Sequence, residues 1–312
     1  MKAYSYDHFG GPEVLQGSEL PDPVAGRGAV VVAVRARSIN LIDIRVRSGA
    51  MGPLVNKRFP KVPGADVAGE VTAVGPGVED LKPGDRVFGA ADPFKGGAFA
   101  ERIALPAINL CPLPAGLDPD LAASLPIAGL AALQSVRDLG QLKPGQAVLI
   151  HGATGPVGLF AVQLAKQTGA AVIAVGSAGL ETARRLGADR TIDYRSESDL
   201  PAGLRFDLVL NLSGKLPFAR GRSLLKPEGR LVEPVPTIPL FIGSKLANLF
   251  RRQKHMALAT AVRRADLAVL ADLVAAGSLE TVIAARFPFA ATHEAYALVE
   301  RGGVIGKVVV TA

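Results

Sequence analysis

The stretch that decides the fold is Ala147–Lys166, AVLIHGATGPVGLFAVQLAK. Ala147 to His151 is a short apolar run of the kind that makes a parallel strand buried on both faces. Glycines follow at spacing three, Gly152, Gly155 and Gly158, and Val157 to Thr168 reads as a helix. Each glycine has its own physical reason. Gly152 permits a tight turn with no Cβ in the way, Gly155 lets the backbone approach a pyrophosphate, and Gly158 lets the helix lie against the strand. Amide groups of the first helical turn, near Pro156 and Val157, lack intrahelical partners and can point at phosphate. Pro156 is tolerated there because an early helical position needs no N–H. Three glycines alone also fit a plain structural turn. The strand before, the helix after and a second strand ending about twenty residues on select a dinucleotide site. Thr154, within the turn, joins Gly152, Gly155, Pro156, Val157 and Gly158 as an expected cofactor contact. His151 is read as a structural residue at the strand end.

Downstream, Ala171 to Val175 reads as strand, Glu181 to Leu186 as helix, and Asp207 to Leu210 and Arg230 to Val232 as further strands. This alternation indicates a doubly wound parallel sheet. The second strand ends at Gly176-Ser177, where an NAD-preferring site carries Asp or Glu for the adenine ribose. Without that carboxylate a 2′-phosphate is not repelled, and Ser177 can donate a hydrogen bond to it. Arg184 and Arg185 either add charge there or lie exposed on the following helix. NADP(H) is therefore expected ahead of NAD(H).

Upstream, the chain is rich in Gly and Pro between short β-branched runs. Ala29 to Arg37 and Asp66 to Val74 read as strands, and the turn Lys82-Pro83-Gly84-Asp85 leads into Arg86-Val87-Phe88, together a β-rich domain. The texture changes near Pro119, and Leu121 to Leu139 reads as helical. Leu267 to Ala276 is another amphipathic helix, and Lys307 to Val310 a closing strand. The expected organisation is a β-rich domain over 1–120, a dinucleotide-binding domain over 121–265, and a return to the first over 266–312. The length of 312 residues suits two domains, at roughly 100–200 residues each.

Apolar residues make up 49% of the chain and aromatics only 5%, with no Trp, so Ala, Val and Leu must do most of the packing. No apolar run reaches the roughly 18 residues of a membrane span, and the N-terminus lacks the layout of a signal peptide. The single cysteine, Cys111, excludes an internal disulfide and fits a reducing compartment, so a cytoplasmic protein is expected. The net charge is +7, with basic clusters at Arg251, Arg252 and Lys254 and at Arg263 and Arg264. No interleaved aromatics or known module accompany them, so they read as solvated surface rather than a nucleic-acid patch. Positive charge also favours anionic small molecules.

The whole chain resembles the medium-chain dehydrogenase/reductase superfamily, in its zinc-free quinone oxidoreductase branch. The resemblance rests on Ser38–Asp43 with Arg47-Ser48-Gly49, Pro63–Gly69, Lys82–Val87, Gly97–Glu101, Leu186–Asp189, Ile192–Tyr194 and Gly306–Val309. Ile242–Lys245 and Phe287-Pro288-Phe289, leading to Val299–Gly302, are similar to the mitochondrial reticulon-interacting reductases of that branch. The resemblance implies a GroES-like first domain, a Rossmann second domain, an active-site cleft between them, and a homodimer. In alcohol dehydrogenases of the superfamily a cysteine stands at Asn40, and Gly-His-Glu at Gly64-Ala65-Asp66. A catalytic zinc needs three protein ligands; those positions lack them and the remaining histidines show no ligand spacing, so no zinc is expected.

By the same resemblance, Asn40 would bond the nicotinamide ribose or the substrate oxygen, the alternative being a turn-capping asparagine. Asp43 is expected to order the loop. Arg45 either stabilises a developing oxyanion or lies exposed on a helix. Tyr194 matches a tyrosine near the adenine-ribose phosphate, while Leu212, Ser213, Val235 and Pro236 match segments along the nicotinamide half. Gly179, where a Lys or Arg would grip the 2′-phosphate, weakens the NADP expectation, and Ala131 removes a threonine contact. The implied activity is NADPH-dependent reduction of a quinone or similar conjugated carbonyl. The alternatives are an ene or enoyl reductase and a non-catalytic dinucleotide-binding protein.

Overall fold

Asp66–Val74 and Ala147–His151, the two strands whose limits the residue pattern marks most sharply, belong to different sheets of the computed structural model. The structure describes residues 1–195, 203–233, 248 and 251–312. It separates into one unit of residues 1–127 and 262–312 and another of residues 128–261. The first opens with an antiparallel pair, β1 (Lys2–Ser5) and β2 (Gln16–Glu19). Next come β3 (Ala29–Ser38), β4 (Asp66–Val74), β5 (Arg86–Ala90), β6 (Arg102–Pro106) and β7 (Leu110–Pro112). β3 pairs antiparallel with both β4 and β6, so it is flanked on two sides. Val30, Val32 and Val34 of β3 join Ile103 and Leu105 of β6 and Val67 and Val71 of β4 in one core. β-branched residues suit such pleated, packed surfaces.

The apolar stretch expected as one helix over 121–139 is broken. It forms a helix at Pro119–Ala123, then Pro126–Leu133, then a π-helical stretch at Gln134–Leu139. Pro126 explains the first break, because proline lacks an N–H and pushes the preceding residue out of helical geometry. The π stretch ends with the Gly140 amide bonded to the Ser135 carbonyl, five residues back.

The second unit contains β8 (Ala147–His151), β9 (Ala171–Gly176), β10 (Arg190–Asp193), β11 (Phe206–Asn211), β12 (Leu225–Glu233) and β13 (Lys254–Ala257). All pairings are parallel, in the order β10-β9-β8-β11-β12-β13. In order along the chain this is 3-2-1-4-5-6, the Rossmann arrangement. Val148, Leu149 and Ile150 of β8 are fully buried, as expected for a central strand covered on both faces. The helix Pro156–Gln167 buries its run from Gly158 to Ala165.

The chain then returns to the first unit through the helix Arg264–Ala275, β14 (Ile283–Pro288), the helix Thr292–Arg301 and β15 (Lys307–Thr311). Leu267, Leu270 and Ala271 bury the face of the first of these helices, at the spacing of an amphipathic stripe. β15 lies between β14, parallel, and β3, antiparallel, and so completes the larger sheet. Phe99 and Tyr296 pack at 5.0 Å beneath it, among the few aromatics of a core built mainly from valine, leucine and alanine. Arg264 donates to the carbonyls of Leu110 and Ala107 and pairs with Asp80, so part of the basic cluster is structural. Among the described residues no helix is long and apolar enough to cross a membrane.

Candidate functional site

In the second unit the order of strands reverses between β8 and β11, and ligands of open α/β sheets bind outside the carboxyl ends of strands at such a point. The glycine turn lies there. Gly152 adopts a φ of +87°, and a Cβ on it would come within 2.8 Å of the Ser213 amide nitrogen, so only glycine fits. Gly158 is equally constrained: a Cβ there would meet the Gly152 carbonyl oxygen at 2.3 Å. Gly155 differs. Its backbone is extended, at φ −78° and ψ 170°, and its Cβ would meet only the Gly152 carbonyl oxygen, at an ordinary 3.6 Å. Among the described residues nothing demands glycine at that position. Gly155 is also the N-cap of the twelve-residue helix and supplies no side-chain acceptor to its first turn. The Val157 and Gly158 amides, in the first turn, have no acceptor within the helix itself. An open cradle above helix-end amides fits a pyrophosphate.

Three neighbouring strand ends carry the other expected contacts. The Tyr194 hydroxyl, after β10, donates to Ser177 Oγ, after β9, at 3.4 Å. Gly176 faces Thr154, whose Cγ2 and Oγ1 would lie 2.8 and 3.1 Å from a Cβ, so any side chain there would require the Thr154 side chain to shift. Arg184 is held by Glu181 at 2.9 Å and by Thr191 Oγ1 at 2.8 Å, on the surface of its helix. Gly179 is left-handed, at φ +81°.

On the other side of the turn, His151 Nδ1 lies 2.6 Å from Ser213 Oγ, and its ring stacks with Tyr194 at 6.4 Å. Burial, helped by Lys215, lowers the His151 pKa and favours a neutral ring. The bonding continues along the sheet. Ser213 Oγ lies 3.3 Å from Asn211 Oδ1, Asn211 Nδ2 donates to Glu233 Oε1 at 2.8 Å, and Glu233 Oε2 faces His255 Nε2 at 2.7 Å. The contact with His255 is the largest cause of a lowered Glu233 pKa. Leu212 sits half-buried beside this chain. Val235 and Pro236, with the Ile242–Lys245 motif, lie outside the described residues.

The first unit holds a buried polar cluster where Asn40 follows β3. Asp66, with no solvent exposure, accepts at Oδ2 from Ser38 Oγ and Asn40 Nδ2, each at 2.8 Å, and from Lys307 Nζ at 3.2 Å. Its Oδ1 accepts from the Ile127 amide at 2.9 Å. Asp43 orders the turn, accepting from the Asn40 amide at 2.8 Å. Burial pushes the Asp43 carboxyl up to about 7, with Asp66 adding to the rise and Asn40 and Lys307 opposing it. Arg45 is half-buried, and its guanidinium makes no hydrogen bond or ion pair among the described residues. Sequence reading missed Lys307. The available signal was one lysine at the start of an apolar strand, with a lone aspartate in the apolar run Ala65-Asp66-Val67.

Asn40 and Asp66, aligned by resemblance with ligand-bearing segments of zinc-dependent relatives, are here bonded to one another and to an ammonium group. Among the described residues, no group of three or more His, Cys, Asp or Glu side chains is arranged to hold a metal.

Family models match two parts of the chain: an alcohol dehydrogenase GroES-like domain over residues 26–115, and a zinc-binding dehydrogenase over 186–310. The chain is 32% identical over 322 residues to quinone-oxidoreductase QR1, chloroplastic, of Triphysaria versicolor, covering 99% of this chain and 98% of that protein. It is 33% identical over 351 residues to the mitochondrial NAD(P)H oxidoreductase RTN4IP1 of Bos taurus, covering 99% and 89%. The solved quinone oxidoreductase from Coxiella burnetii superposes with a TM-score of 0.92 at 32% identity, covering 100% of this chain and 99% of that one. The chain therefore belongs to the zinc-free quinone oxidoreductase branch of the medium-chain dehydrogenase/reductase superfamily and is an oxidoreductase of that type.

Proposed function

We propose that this protein takes a nicotinamide dinucleotide, NADPH ahead of NADH, on the Gly152–Gly158 turn and reduces a quinone or similar conjugated carbonyl. The observation that carries the reading is Gly155, a glycine with no internal steric reason, capping a helix at the point where the sheet order reverses. The names of the relatives support the dinucleotide and the quinone. A preference for NADPH is supported by the absence of a carboxylate at Gly176 and by the adjacent hydroxyls of Ser177 and Tyr194.

When bound, the nicotinamide ring supplies hydride chemistry; a conjugated carbonyl already accepts hydride, so positioning provides most of the rate. The residues then have defined tasks. Val157 and Gly158 amides bind phosphate, and Thr154 lines the turn. Neutral His151 fixes Ser213, while Ser213 and Leu212 line the nicotinamide half. From the first unit, Asn40 orients a ribose or carbonyl oxygen, and Arg45 stabilises negative charge developing on the substrate oxygen. Protonation of the reduced product is supplied by water or by a nearby donor. The substrate is a small molecule, with no role for nucleic acid. The protein acts as a cytoplasmic homodimer, whereas the two relatives are named chloroplastic and mitochondrial.

The test is oxidation of NADPH and NADH by the purified protein with a benzoquinone and with a simple enone. Steady turnover of the quinone, with the lower KM for NADPH, is expected. Turnover with the enone alone would replace the substrate assignment, and equal KM values would remove the NADPH preference.

A further inference from the structure

We propose that Lys307 and Asp66 form a buried ion pair that positions the Asn40 carboxamide in a single orientation. This rests on the role given to Asn40 above and adds two positioning residues from distant parts of the chain. Strand register brings them together. Ser38 lies opposite Asp66 on β4 and opposite Val309 on β15. Carried two residues further along the antiparallel β15–β3 pair, that register sets Lys307 level with Asn40.

All three Lys307 protons are committed, to Asn40 Oδ1 at 2.7 Å, Ile39 O at 3.2 Å and Asp66 Oδ2 at 3.2 Å. The lysine and the aspartate are 1% and 0% exposed, so neither group can trade its partner for water. Between them lies the Asn40 carboxamide, its oxygen accepting from the ammonium and its nitrogen donating to the carboxylate. A flipped amide would set NH₂ against NH₃⁺ and C=O against COO⁻, two repulsive contacts in a low-dielectric interior. The pair therefore dictates which end of Asn40 is donor and which is acceptor. The Asn40 side chain also accepts from the Asp43 amide in the capping box of the helix Leu41–Arg47, a bond that the same orientation of the amide serves. Neither Lys307 nor Asp66 needs to touch the reactants. Their effect is transmitted through Asn40, and a misplaced polar group at a reacting centre costs rate.

Lys307→Met alone would strand the Asp66 carboxylate, so the informative variant is Asp66→Asn/Lys307→Met, which removes both charges at nearly constant volume. Full-length wild type, Asn40→Ala and the double variant are compared by NMR of the side-chain amide protons, with the Asn40 pair identified by its absence from Asn40→Ala. In wild type that pair should exchange slowly with solvent, and in the double variant at least about tenfold faster. In the quinone assay the double variant should fall about tenfold or more in kcat, to the level of Asn40→Ala, with KM for NADPH changed far less. Unprotected Asn40 protons in wild type, unchanged protection in the double variant, or freed protons with wild-type kcat would each overturn the proposal. If wild type oxidises no NADPH with quinone, the functional reading fails, and the exchange measurement still decides the positioning role.

Discussion

Asp43 is the residue whose environment is most at odds with its chemistry. It is buried beside Asp66, one of its oxygens has no hydrogen-bond partner among the described residues, and its pKa is raised from 3.8 to about 7. A carboxyl whose folded pKa lies above its unfolded value contributes stability below the unfolded pKa and loses it as pH rises through the folded one. Asp43 therefore favours the folded state near pH 3.8 and ceases to do so by pH 7 to 8. Asp43→Asn keeps an acceptor for the Asn40 amide and never ionises. It should be more stable than wild type at pH 8, by roughly 2–4 kcal/mol, and lose that advantage toward pH 4; urea midpoints across this range measure it. A constant difference at all pH values would refute the ionisation argument. The glycines separate in the same way. Gly158→Ala drives a Cβ into the Gly152 carbonyl and should cost about 1–3 kcal/mol, whereas Gly155→Ala should stay within about 0.5 kcal/mol of wild type in the same unfolding measurement. The turn itself was legible in the sequence, since its residues are consecutive. The partners of Asn40 were not, because Lys307 and Asp66 are separated by 241 positions and meet only through sheet register.

Among elements, β15 carries more than its five residues suggest. Val308, Val309 and Val310 are almost fully buried between β14 and β3, and each such valine contributes roughly 1.5–3 kcal/mol. Together that is comparable to the whole stability of an ordinary domain, about 5–15 kcal/mol. Deleting Lys307–Ala312 should leave the first unit unable to fold, seen as rapid proteolysis of residues 1–127. A truncated chain as protease-resistant as wild type would show that β15 is dispensable. Elements with continuous apolar or β-branched runs, such as β4 and β8, were read from the sequence to the residue. The helix expected over 121–139 was not, because apolar content persists across Pro126 while proline geometry breaks the hydrogen-bond ladder. Short strands such as β1, β2 and β7 had too few residues to show a period.

For the molecule as a whole, the alternation of strands and helices after Ala147 was enough to predict a parallel sheet, and the order β10-β9-β8-β11-β12-β13 locates its switch point. The candidate site was legible to the extent that it follows strand ends in sequence. The contacts from His151 through Ser213, Asn211 and Glu233 to His255 depend on neighbouring strands and left no local pattern to read. Whether the glycine turn holds the dinucleotide is decided by calorimetric titration of wild type and Gly155→Val. The extended backbone at Gly155 admits valine, so the variant should melt as wild type does. Wild type should bind NADPH more tightly than NADH, while Gly155→Val should bind neither. A folded Gly155→Val protein that binds NADPH with wild-type affinity would rule out the turn as the dinucleotide site.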